Sequence, residues 1–232
     1  MLRLRLPWAA CAAMSLLVVL AGCRAQPVAP KGQSGLAEIK VQSIALMPCI
    51  KGMYDTSLGA PMSRLLYCRI ADLCFNIKEI KSNSDELMTV FLQNALQKRY
   101  NTALVPFPAV WAAYSGLPAN STADTPQSLA TALGRKLKAD HIMVCIVWRY
   151  KERVGTAEAS ASPASVAFTL YLLNVEQGIP VWEATFDKTQ QALSDNLLNA
   201  KVFFTMGARW LTADELARYG IEKVLNEAGG VL

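Results

Sequence analysis

His141-Ile-Met-Val-Cys-Ile-Val-Trp-Arg-Tyr150 is a run in which apolar side chains occupy both alternating sets of positions. Along an extended chain, Ile142, Val144, Ile146 and Trp148 project to one side, and Met143, Cys145 and Val147 to the other. A strand that is apolar on both faces belongs inside a sheet covered on both sides. The flanking sequence supplies the cover and the neighbours. Upstream, Thr125-Pro126 marks a helix start, a capping residue followed by proline at the first helical position. Leu129, Leu133 and Leu137 then recur every four residues as its apolar stripe. Downstream, Val166 to Val175 and Val181 to Phe186 read as a hairpin turning at Glu176-Gln177-Gly178.

Further out, Ile39 to Met47 reads as another strand, with Ile44-Ala45-Leu46-Met47 apolar on both faces and Pro48 ending it. A helix is expected from Asp85 to Arg99. Ser84 is its candidate cap, Asp85 and Glu86 suit the positive end of its dipole, and Lys98 and Arg99 suit the other end. Leu87, Val90, Phe91 and Ala95 form its expected inner face. Thr102 to Phe107 reads as a short strand bounded by Pro106 and Pro108, and Ala109 to Tyr114 as a helical turn. Helices are expected near Ser194 to Gly207 and Ala213 to Asn226, the second opened by the capping box Thr212-Ala213-Asp214-Glu215. This alternation predicts a single α/β domain over residues 39–232, a mixed sheet flanked by helices. Residues 51–83 break the pattern. They carry Gly52, Gly59, Pro61, Cys68 and Cys74 without a period, and read as an irregular insertion of the kind that often serves function.

The amino terminus has a separate logic. Arg3 and Arg5 precede an uncharged apolar stretch from Leu6 to Leu20, too short to span a bilayer but suited to an export signal. Leu20-Ala21-Gly22-Cys23 resembles the lipobox of bacterial lipoproteins. That resemblance implies a signal peptide over 1–22, lipid on Cys23, and a mature domain anchored outside the cytoplasm. Arg24 stands where an Asp would resemble the inner-membrane retention signal, so the resemblance implies the outer membrane. Residues 23–38, rich in Ala, Pro, Gly and Gln, read as the lipidated cysteine and a flexible tether, with an end-to-end distance on the order of 20 Å.

Composition narrows the function. The 23 Lys and Arg against 18 Asp and Glu give +5, or +3 without Arg3 and Arg5, which makes no case for nucleic acid. Of six cysteines, Cys11 would leave with the signal and Cys23 would carry lipid. Cys49, Cys68, Cys74 and Cys145 would remain in an oxidising compartment, with three full pairings open. Cys68 and Cys74, close in one loop-like segment, are the favoured disulfide, while Cys145 in its strand reads as a small core hydrophobe.

His141 is the single histidine and follows Asp140. Nucleophilic catalysis would pair it with Cys49 or a serine, but no nucleophile-elbow motif supports this, and local hydrogen bonding is the plainer reading. One histidine does not make the usual zinc sites. The carboxylate pairs Asp85-Glu86 and Asp214-Glu215 lie in first turns of helices, where dipole capping explains them. No phosphate-binding glycine loop is present, so no cofactor, metal or catalytic residue is assigned.

Val166-Ala-Phe-Thr-Leu-Tyr-Leu-Leu-Asn-Val-Glu-Gln-Gly-Ile-Pro-Val-Trp182, together with Ile44-Ala-Leu-Met-Pro48 and Ala139-Asp140-His141, resembles envelope lipoproteins of the CsgG, PelC and TolB amino-terminal type. The resemblance implies a mixed sheet with flanking helices and non-enzymatic work in export or surface-structure assembly. It also implies envelope proteins or further copies of the chain as partners. The alternative is a periplasm-facing ligand-binding or hydrolytic domain, with a pocket under the 51–83 insertion near Cys49 and His141.

Overall fold

The doubly apolar strand lies in the interior of a five-stranded mixed sheet. In the computed structural model, which describes residues 39, 41–52, 62–73, 78–191 and 209–228, the strands are β1 (Ile44–Leu46), β2 (Ile50–Lys51), β3 (His141–Lys151), β6 (Ser165–Asn174) and β7 (Ile179–Thr189). A small separate ribbon pairs β4 (Val154–Gly155) with β5 (Ser160–Ser162). β1 and β2 both run parallel to β3, which pairs antiparallel with β6, and β6 pairs antiparallel with β7. The order β1-β3-β6-β7 places β3 and β6 inside, where two-sided apolarity is required.

Four helices are described: α1 (Ser84–Tyr100), α2 (Phe107–Ser115), α3 (Pro126–Leu137) and α4 (Ala213–Glu227). Met143, Cys145 and Val147 face α1 and α4, packing with Met88, Leu92, Leu216 and Ile221. Ile142, Val144, Ile146 and Trp148 face α2, α3 and a 3-10 turn over Met62–Tyr67, packing with Val110, Leu129, Leu133 and Leu66. The result is an α/β domain with a mixed sheet flanked by helices, as the alternation predicts. Among the described residues no helix is long and apolar enough to cross a membrane.

Several local expectations change. Pro48 interrupts the first strand without ending it: pairing resumes at Ile50, and the register slips by one residue between Leu46↔Met143 and Ile50↔Ile146. Proline has no N–H to donate, so the ladder breaks there and leaves a bulge at the sheet edge. Ser84 does not cap α1. Asn83 occupies that place without a side-chain bond, and the Ser84 hydroxyl is buried without a hydrogen-bond partner. The inner face of α1 is Met88, Phe91, Leu92, Ala95 and Leu96, while Val90 faces outward. The expected strand at Thr102 to Phe107 is a turn with a single bridge, Leu104 to Ile44. In the 51–83 insertion, Leu65, Leu66 and Ile80 are buried in the core, while most of its other described residues are exposed.

The capping signals hold at both predicted sites. Thr125 and Ser128 form a reciprocal capping box for α3, and Thr212 and Glu215 do so for α4. The hairpin turns as expected, with Gly178 at φ +68°. Residues 1–38 and the expected helix at Ser194 to Gly207 lie outside the described residues.

Candidate functional site

The bulge at Pro48 and Cys49 forms the floor of a groove of about 310 Å³ between the first turns of α1 and one side of α2. The Cys49 N–H, released from the strand ladder, donates to Thr89 Oγ1 at 2.8 Å, and that hydroxyl donates to the Asp85 carbonyl at 2.7 Å. This ties the sheet edge to α1. The opposite wall comes from α2, where Phe107, Trp111 and Tyr114 stand four and three residues apart and so share one helical face. The Trp111 ring centroid lies 6.3 Å from each of the other two, in tilted arrangements. Half-burial raises the Tyr114 hydroxyl above its ordinary pKa.

Two large apolar side chains of the groove are more than half exposed, Trp111 at 54% and Val90 at 53%. Acid lies at the rim. Asp85 pairs with Lys51 Nζ at 3.2 Å, and Glu86 projects into solvent one residue on. Aromatic rings beside one exposed carboxylate suit an apolar partner with a donor or cation at its edge.

The groove meets Cys49 but not His141, and its walls are α1 and α2 and not the described part of the 51–83 insertion. In register His141 lies opposite Ile44, four residues before Cys145 on β3, so it stands roughly 13 Å along the strand from the groove floor. Its Nδ1 lies 3.0 Å from Asp140 Oδ2. Asp140 also accepts the Gln42 N–H at 3.0 Å, the Ser43 N–H and the Ser43 hydroxyl. Burial raises the Asp140 carboxyl, but the hydrogen bonds from Ser43, Gln42 and His141 outweigh it and hold the pKa down to about 2. The Ser43 hydroxyl donates its hydrogen bond to the Asp140 carboxylate. This is a clasp on the start of β1, and neither Cys49 nor Ser43 stands in a nucleophile-and-base contact with His141.

The second carboxylate pair, Asp214-Glu215, is engaged in structure. Asp214 accepts the Tyr150 hydroxyl at 2.6 Å and lies 3.7 Å from Lys81 Nζ. Glu215 closes the α4 capping box and meets Arg209 at 2.6 Å; these bonds lower its pKa, Arg209 first, against a smaller effect of burial. Among the described residues no group of three His, Cys, Asp or Glu is placed to hold a metal ion. Lys136 donates to the Ala113 and Gly116 carbonyls at 3.1 and 3.0 Å, which binds α3 to the end of α2.

Cys145 is a core residue, as expected, and Cys49 joins the same buried cluster close enough to push the Cys145 thiol further up. Cys68 is half-buried. Cys23 and Cys74 lie outside the described residues, and with them the lipidation site and one half of the favoured Cys68–Cys74 pair. The sequence expectation places Phe107 in a strand and begins the helical turn at Ala109, so it misses the aromatic face of α2, which the spacing at 107, 111 and 114 could have shown. The exposure of that face was not readable, because sequence does not say which helical face meets solvent.

No family profile matches this chain, and no curated protein does. It is similar to solved structures at low identity. One is the PelC dodecamer from Paraburkholderia phytofirmans, with 13% identity, TM-score 0.42, and coverage of 80% of this chain and 85% of that one. Another is the LpoB carboxy-terminal domain from Salmonella enterica, with 15% identity, TM-score 0.38, and coverage of 66% and 86%. A third is a lipoprotein from Neisseria meningitidis, with 14% identity, TM-score 0.39, and coverage of 72% and 97%.

Proposed function

We infer that this chain is an envelope lipoprotein, held at the outer membrane by lipid on Cys23, whose α/β domain works without catalysis by docking another envelope protein. Arg3, Arg5, the apolar run to Leu20 and the Leu20–Cys23 motif support the anchor, and two or more acyl chains make such an anchor stable. Residues 24–38 would give the domain its reach as a tether. The accessory role in an export or surface-structure system follows from the family resemblance of the β1 and hairpin segments.

The observation that carries the docking role is the exposed Trp111, standing between Phe107 and Tyr114 on the wall of the groove. Exposed aromatic rings beside a concave surface are the usual anchors of protein interfaces. The test uses intact cells with a photocrosslinking side chain at Val90, across the groove from Trp111. The expected result is a discrete adduct in the outer-membrane fraction that disappears in Trp111→Ala. Cys23→Ala should release the protein from that fraction. An adduct unchanged by Trp111→Ala, or none in cells, would overturn the docking role. A ladder of multiples of the chain would identify the docked protein as a second copy.

A further inference from the structure

Two cysteines that the sequence did not pair with each other lie side by side under the groove. β2 and β3 pair Ile50 with Ile146 and Lys51 with Val147, so one step back along both strands sets Cys49 against Cys145. Neighbouring strands lie about 4.8 Å apart, within the Cα separations of roughly 4.4–6.8 Å that disulfides bridge. Both side chains turn into the same cluster, beneath α1 and α4. The two thiols are close enough to interact electrostatically. Two thiols set side by side on adjacent strands in an oxidising compartment are a site for covalent closure.

We propose that Cys49 and Cys145 form a disulfide that staples the Pro48 bulge to β3 and fixes the floor of the groove. The proposal rests on the envelope reading for its oxidising compartment. It also chooses among the three pairings, since it leaves Cys68 and Cys74 to each other.

The oxidant is a disulfide, R–S–S–R, of a thiol-exchange protein or a small thiol. Cys49 lines the groove and is 7% exposed, whereas Cys145 is fully buried, so Cys49 meets the oxidant first. Its thiolate attacks one sulfur of the oxidant; a Cys49–S–S–R bond forms, the S–S bond of the oxidant breaks, and the first RS⁻ leaves. Cys145 then loses its proton and attacks Cys49 Sγ, forming the Cys49–Cys145 bond and expelling the second RS⁻. Two electrons end on the two R thiolates, which take up the two protons given up by the cysteines. Burial, and then the neighbouring Cys49, push the Cys145 thiol well above its ordinary pKa. The second attack therefore limits the rate and speeds as pH rises.

The test treats the full chain, purified in mild detergent, with oxidised glutathione, blocks remaining thiols in denaturant and maps peptides without reduction. The expected product is a peptide joining Cys49 to Cys145, forming faster at about pH 8.5 than at about pH 7. It should be absent from Cys49→Ala and from Cys145→Ala. Reductant should lower the melting temperature of the oxidised protein by several degrees more than that of Cys49→Ala/Cys145→Ala. Both cysteines blocked, Cys49 joined to Cys68 or Cys74, or glutathione left on Cys49 would each overturn the proposal. The same mapping on cells quenched with acid separates the two readings. Closure in the test tube with free thiols in the cell sinks the envelope reading, whereas failure in the test tube sinks the disulfide itself.

Discussion

Gly220 sits where α4 crosses β7, and adding one methyl there tests the packing of this layer directly. A Cβ at Gly220 would lie 2.6, 2.7 and 2.8 Å from Cδ1, Cε1 and Cγ of Phe186, far inside ordinary contact. The ring has little room to yield. It stacks on Phe168 at 5.4 Å between centroids and meets the edge of Tyr219 at 6.3 Å. Replacing glycine by alanine within a helix gains about 1 kcal/mol of helix propensity. Overpacking a filled core costs about 1–3 kcal/mol, and a clash with three ring atoms at once belongs in the upper half of that range. Gly220→Ala is therefore expected to lose about 1–2 kcal/mol, or roughly 2–8 °C in Tm for a domain of this size. Urea unfolding of the two proteins measures the difference. In a Phe186→Leu background the clash is gone, and the same change should be neutral or stabilising, so a double-mutant cycle isolates the ring contact. If Gly220→Ala is as stable as the parent, α4 does not approach β7 as described and the argument fails.

Two further outcomes test the polar clasps. Tyr150→Phe removes the bond to Asp214, and because that carboxylate is partly exposed and also near Lys81 the loss should be about 1–2 kcal/mol in urea unfolding; a loss below about 0.3 kcal/mol would show the bond to be idle. The Asp140 pKa is about 2 in the folded protein, below its unfolded value near ~3.9, so its stabilisation is present above the unfolded value and lost as pH falls through the folded one. The stability gap between the parent and Asp140→Asn should narrow between about pH 5 and about pH 2, and a gap independent of pH would refute the role of the charged carboxylate.

Much of the fold was legible in alternation and capping. The two apolar sets of His141–Lys151 dictated a covered interior strand, and the capping boxes at Thr125 and Thr212 marked real helix starts. Those signals are local: strand alternation and cap chemistry depend on residues within a few positions of one another. By itself, then, the sequence determined the class of the domain, its central strand, its hairpin and the residues that resemble an anchor. Tertiary structure decided the rest. Val90 turned outward because α1 met the sheet through Met88 and Leu92, a choice made by the opposing surface and not by the helix. The meeting of Cys49 with Cys145, and the groove that Trp111 and Val90 flank, depend on β2 resuming its pairing one residue out of register after Pro48. Contacts between segments nearly a hundred residues apart are set by sheet register and helix docking, and no short-range pattern encodes either.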